Sequence, residues 1–139
     1  MRAIEVIYST SKPFSNFRKE QVKKRSFNIV KIGLDMNRED LYKRINKRVD
    51  LMIEKGLLAE AQKLHPNKEL NALQTVGYRE LFSFFEEKIT KDEAILEIKK
   101  NTRRFAKRQL TWFKKDPNIY WFDFETDTTK ILKKIEDFI

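Results

Sequence analysis

The spacing of apolar residues changes several times along this chain, and each change marks an element. Ile4, Ile7 and Tyr8, within Arg2 to Tyr8, sit at helical spacing, so the chain opens inside or at the end of a helix. Ser9 to Ser26 is polar and basic, with Pro13 and the run Lys23, Lys24, Arg25, and predicts a connector. The run FNIVKIGL, Phe27 to Leu34, is short, β-branched and apolar with no helical stripe, which predicts a buried strand over about 27–34. Leu41, Ile45, Val49 and Met52 then recur at i, i+4, i+8 and i+11 behind a capping Asn37 and an acidic first turn, Glu39 and Asp40. Gly56 ends or bends that helix, LLAEAQKL continues it to Pro66, and the pair covers about 38–65. After a loop, Asn67 to Asn71, the segment LQTVGYRELFSFF carries a helix over about 77–87. Thr90 and Glu93 have capping-box spacing, and Lys91 to Lys115 runs without Gly or Pro, so a long helix is expected over about 91–115. Asp116 and Pro117 stop it, the aromatic run Ile119 to Phe124 predicts a second strand, and Thr128 or Thr129 starts an amphipathic helix over about 128–139 carrying Ile131, Leu132, Ile135, Phe138 and Ile139.

Two apolar strands separated by several helices do not make a plain bundle, because parallel strands need long crossovers and belong to layered α/β sheets. An isolated strand pair is marginal in water. The pattern therefore predicts a mainly α fold with two short strands that serve as part of a larger sheet. The length, 139 residues, suits one compact unit.

On a helical wheel of the long segment, Ala94, Ile95, Ile98, Thr102, Phe105, Gln109, Trp112 and Phe113 fall on one side, expected to be the core. Lys100, Arg103, Arg104, Lys107, Thr111 and Lys114 fall on the other, with no carboxylate interleaved after Glu97. Solvated helices commonly mix both signs for i to i+4 pairing, so a stripe of one sign points to a polyanion. Gln109 interrupts the apolar side, where an unpaired amide costs free energy. Its partners are either backbone groups of the same domain or the edge of an unstacked base.

Charge strengthens this picture: the formal net charge is +9, and each phosphate neutralised by Lys or Arg releases condensed counterions. Cysteine is absent, which excludes disulfides, thiolate chemistry and cysteine-ligated zinc. His65, beside Pro66, is the single histidine and has no second histidine to make a ligand pair or relay, so no metal site is expected. No apolar run reaches membrane-spanning length and the N-terminus lacks a signal-peptide pattern, so a cytoplasmic protein without a membrane partner is expected. The three glycines, Gly33, Gly56 and Gly77, lie in no phosphate-loop motif. Ser9 and Lys12 fit S-x-x-K without its companion motifs. Asp35, Asp40, Asp50 and Asp123 are scattered, and no catalytic residue is assigned.

One further segment stands out. Gln74, Thr75, Val76, Gly77, Tyr78 and Arg79 place a glycine among polar and cationic groups at a helix start, where backbones approach closely and anions are attracted. A turn preceding the cluster Tyr78, Leu81, Phe82 and Phe85 is the plainer alternative.

The ordered series RAIEV (Arg2 to Val6), LYKRINKRVDLMIEKGLLAEAQKL (Leu41 to Leu64), ALQTVGYREL (Ala72 to Leu81) and NTRRFAKRQLTWFK (Asn101 to Lys114) resembles the C-terminal half of bacterial tRNA dimethylallyltransferases over nearly the whole chain. The resemblance implies the C-terminal fragment of a P-loop-like α/β, nucleotide- or ATP-binding transferase. Such an enzyme moves a dimethylallyl group from its diphosphate to N6 of the adenosine beside the anticodon, with Mg2+. It also implies that the diphosphate loop and catalytic residues lie upstream of the point matching Arg2, so that this part alone is inactive and needs neither cofactor itself. By the same resemblance, Gln74, Thr75, Val76, Gly77, Tyr78 and Arg79, together with Lys107, Arg108, Gln109, Leu110, Thr111, Trp112, Phe113 and Lys114, face the anticodon stem-loop of tRNA; the cationic stripe adds Arg103, and the RNA assignment expects a groove shared by Gln109 and the Gly77 turn. Thr10, Ser11, Lys12 stands where the family commonly has Thr-Gly-Lys, so the turn after the first helix is expected to be altered. Two other accounts fit the composition: a freestanding basic helical RNA-binding module without catalysis, and a domain that assembles with protein partners through exposed strand edges.

Overall fold

Residues 2–18 and 26–138 are described by the structure, a computed structural model. Among the described residues, six α-helices and two strands order as α1 (Arg2–Thr10), β1 (Lys31–Asp35), α2 (Arg38–Glu54), α3 (Leu57–Leu64), α4 (Tyr78–Phe85), α5 (Lys91–Phe113), β2 (Ile119–Asp123) and α6 (Thr128–Glu136), with short 3-10 turns at Phe14–Arg18, His65–Asn67 and Asn71–Leu73. The fold is mainly α with two short strands. Length suggests one compact unit; the contacts gather the described residues into two, residues 2–18 and 26–29 with Phe138, and Val30–Asp137.

In the smaller unit the polar stretch from Ser9 is more ordered than a connector: α1 runs through Thr10, and Phe14–Arg18 forms a 3-10 turn. The basic run Lys23, Lys24, Arg25 lies outside the described residues, as does Ile139. Ser11 ends α1 with φ +53°, and its N–H donates to Ile7 O at 2.8 Å. That is the left-handed stop which glycine adopts without a steric cost, taken here by serine.

The larger unit is organised around α5. Its N-terminal cap is reciprocal: Thr90 Oγ1 accepts from Glu93 N at 3.2 Å, and Thr90 N donates to Glu93 Oε2 at 2.7 Å. Asn37 Oδ1 caps α2 by accepting from Glu39 N at 2.8 Å, and Gly56, at φ +101°, separates α2 from α3. The core joins Val49 of α2, Leu57 and Ala61 of α3, Leu73 of the 3-10 turn before α4, Leu81 and Phe82 of α4, and Ala94 and Ile98 of α5. Leu81 and Ile98 are the largest side chains wholly withdrawn from solvent, so truncating either to alanine removes about 2–5 kcal/mol.

Every core residue of α5 lies in its first third. Farther along, the apolar side is bare: Phe105 is 54% exposed, Trp112 68% and Phe113 39%, and Gln109 is exposed too. The periodicity that assigns these four to the core is correct about the face and wrong about its cover, because the buried core that α5 shares with α2 and α4 reaches only Ala94 and Ile98. Gln109, being solvated, needs no protein partner, and the helix ends at Phe113, two residues before Lys115.

The strands pair in parallel, Lys31 with Ile119 through Asp35 with Asp123. β1 differs from the buried strand expected over Phe27–Leu34: Phe27, Ile29 and Leu34 are 59%, 63% and 51% exposed, and pairing begins only at Lys31, where β2 supplies a partner. Gly33 faces Trp121, and a Cβ there would lie 2.6 Å from Trp121 Cε3.

Candidate nucleic-acid interface

The cations of α5 divide by what they touch. Lys99 pairs with Asp50 at 2.6 Å, Lys100 with Glu97 at 2.7 Å and Lys114 with Asp35 at 2.5 Å. Lys114 beside it holds the Asp35 carboxyl below its ordinary range, against the smaller opposing effect of burial, and the Met36 N–H assists. Arg103 is half-buried: Nη1 donates to Asn46 Oδ1 at 2.7 Å, and the guanidinium lies 5.8 Å from the Tyr42 ring centre. Arg38 approaches the same ring at 5.2 Å and donates from Nε to the Tyr42 hydroxyl at 2.9 Å. Arg103 therefore ties α5 to α2.

What remains is a cluster without carboxylate partners, in which the Arg108 guanidinium lies 5.8 Å from the Phe105 ring centre. Arg104, Lys107 and Arg108 are exposed, and among the described residues no carboxylate lies within ion-pair distance of any of them. With Thr111, Trp112 and Lys115 they line a hollow of about 440 Å³. Thr111 Oγ1 donates to Lys107 O at 2.9 Å, which leaves its methyl as the free surface. Lys107 and Thr111 also border a second hollow, of about 310 Å³, reached from the far side by Arg38, Tyr42 and Lys114. Arg38 and Tyr42 were not among the residues singled out from sequence; their i, i+4 spacing on α2 was the available signal.

The other candidate segment sits elsewhere. Gly77 opens α4 at φ +107°, and its N–H donates to Glu80 Oε2 at 2.8 Å, so the α4 amino end is already occupied by a carboxylate of its own helix. Gln74 donates from Nε2 to Lys68 O at 2.6 Å, Val76 packs against the core, and Thr75 and Arg79 are exposed. The Tyr78 hydroxyl donates to Glu60, which raises its pKa by opposing the phenolate. Gly77 and Tyr78 line a hollow with Met52, Lys55 and Leu57, whereas Gln109 lines another, between α5 and the strands, with Leu110, Phe113, Gly33 and Trp121. These two hollows share no residue, so the single groove expected to join Gln109 to the Gly77 turn is not formed by them.

Among the described residues no three His, Asp or Glu side chains gather as a metal site, and no helix is long and apolar enough to cross a membrane.

Known proteins identify the lineage. The family model described as IPP transferase matches residues 1–116. A tRNA dimethylallyltransferase of Flavobacterium psychrophilum is 59% identical over 97% of this chain and 44% of its own length. One from Christiangramia forsetii is 58% identical over 98% and 45%. Among solved structures, the full-length tRNA isopentenylpyrophosphate transferase of Bacillus halodurans superimposes with a TM-score of 0.74 at 41% identity, covering 99% of this chain and 42% of that one. The chain belongs to the IPP transferase family, whose named members are tRNA-modifying transferases. It spans a little under half the length of these curated relatives.

Proposed function

We propose that this chain is the tRNA-docking part of a tRNA dimethylallyltransferase, the longer protein moving a dimethylallyl group to N6 of the adenosine beside the anticodon. The names of the relatives support the reaction class and the substrate. The observation that carries the docking role is the exposed trio Arg104, Lys107 and Arg108, which no carboxylate neutralises among the described residues. Three cations without a carboxylate partner, within little more than one turn of one rigid helix, attract a phosphate backbone and hold its register. Arg103 and Lys114, engaged within the fold, position the elements around them, and Gln109 to Phe113 extend the surface toward the strands. The segment Gln74 to Arg79 presents Gln74, Thr75 and Arg79 as a second, separate patch for the same arm.

Dimethylallyl diphosphate and Mg2+ belong to the longer protein in this account. The described residues offer no metal-ligand cluster, and none of the three glycines lies in a phosphate loop. No step of transfer is routed through these residues, and the isolated chain is taken to be inactive.

Titrating the chain with an anticodon stem-loop at rising salt tests the docking role. Three cations on phosphates correspond to a log–log slope of about −2.1 to −2.7, a loss of about 20- to 40-fold in affinity for a fourfold rise in salt. Binding that ignores salt, or no binding at low salt, would contradict it.

A further inference from the structure

We infer that Glu80 is a positioning residue: it holds the turn over residues 74–79 in fixed register with α5, so that two separate patches meet one RNA arm together. This rests on the docking role proposed above and adds to it a residue that touches no RNA itself. Among the described residues Glu80 is the one charged side chain enclosed by the core, and no cation lies within ion-pair distance of it. A carboxylate withdrawn from water without a counter-charge costs free energy, and packing alone is served better by an apolar side chain. What the carboxylate offers instead is two acceptor oxygens in one plane.

Each oxygen takes one neutral donor, and the two donors belong to different elements. Oε2 accepts from the N–H of Gly77, the buried residue that opens α4 at φ +107°, at 2.8 Å. Oε1 accepts from Asn101 Nδ2 of α5, also at 2.8 Å. Gly77 stands two residues before Arg79, the exposed cation of the turn. Asn101, Arg104 and Arg108 follow one another at i, i+3 and i+7, so the side chain that Glu80 grips lies at the base of a ridge carrying two of the three exposed cations. The hollow beside the Gly77 turn and the hollow beside those cations share no residue, yet this carboxylate bonds the turn to the helix that carries them.

A staple that only stabilises the packing of α4 on α5 would use the same two bonds, and the two roles separate in the salt dependence of binding. A phosphate met by Arg79 adds about 0.7 to 0.9 to the log–log slope, provided the turn places the guanidinium on it. A purely structural staple leaves that number alone in every variant that remains folded. Glu80→Gln also makes the chain more positive, so charge alone would strengthen its hold on RNA. A positioning role gives the reverse, because the glutamine amide has one acceptor oxygen and releases one of the two elements.

The 139-residue chain is titrated with an anticodon stem-loop over a range of salt, and urea unfolding checks that each variant is folded. Arg79→Gln is expected to flatten the slope by about 0.7 to 0.9. Glu80→Gln, and Asn101→Ala, which leaves the Gly77 bond in place, are each expected to flatten it by the same amount. Adding Arg79→Gln to either is expected to change it no further. The inference is overturned if the folded variants keep the wild-type slope, or if Arg79→Gln adds its full flattening on top of theirs. Asn101→Ala decides alone if Glu80→Gln does not fold. An Arg79→Gln slope equal to that of wild type also overturns the inference, while a steep wild-type slope leaves the docking role of α5 standing. Wild-type binding that ignores salt overturns both.

Discussion

Glu80 and Asn101 join the start of α4 to the middle of α5: Asn101 Nδ2 donates to Glu80 Oε1 at 2.8 Å, while Glu80 Oε2 takes the Gly77 N–H at 2.8 Å. Glu80 is 7% exposed, so both donors lose this acceptor, which no other among the described residues replaces, if the carboxylate goes. Replacing it by alanine is expected to cost about 2–3 kcal/mol, and Glu80→Gln, with a single acceptor oxygen, about 1–2 kcal/mol. Urea unfolding of the chain measures both; an unchanged midpoint for Glu80→Ala would mean that the contact does not stabilise the fold.

Gly33 is required by its neighbour. A Cβ would sit 2.6 Å from Trp121 Cε3 and 2.7 Å from Cζ3, so Gly33→Ala must push the indole off the strand pair. The expected loss is about 1–3 kcal/mol, with a shift in tryptophan emission as the ring moves. A variant with wild-type stability and emission would place the two residues farther apart than described.

The left-handed Ser11 at the end of α1 carries a steric cost that glycine avoids. Ser11→Gly is expected to stabilise α1 by about 1 kcal/mol, read as about fivefold slower amide exchange in that helix. Faster exchange would show that the serine conformation is unstrained.

Glu86 is held at about 2, against an ordinary 4.5, because Lys68 and then Lys88 donate to its carboxylate. A depressed folded pKa contributes stability that is present above about 4.5 and lost as pH falls toward about 2. Wild type is therefore expected to exceed Glu86→Gln in stability at neutral pH, and the gap is expected to close through that acidic window. A gap independent of pH would locate the effect outside the carboxylate's ionisation.

Local rules read the helices well because their signals are local. The Thr90–Glu93 box and the Asn37 cap are contacts within three residues, so the sequence alone displays both partners. The family, too, was legible, from ordered segments such as QTVGYRE and KRQLTWFK. Periodicity could not report what lies over Phe105, Trp112 and Phe113: it locates an apolar face and is silent about its cover. Nor could it find the start of β1, since Lys31 pairs with Ile119, which the chain brings back only after four helices. The candidate cations needed the fold to sort them, because Asn46 and Asp35, which engage Arg103 and Lys114, lie far from them in sequence.

The central claim is that the exposed cations of α5 meet RNA phosphates. Its most direct measure is the salt dependence of anticodon stem-loop binding by the wild-type chain and by Arg104→Gln with Lys107→Gln, two side chains that form no ion pair among the described residues. Removing two phosphate contacts is expected to flatten the log–log slope by about 1.4 to 1.8 and to weaken binding at low salt. An unchanged slope with unchanged affinity would contradict the account and leave the stripe a solvated helix face.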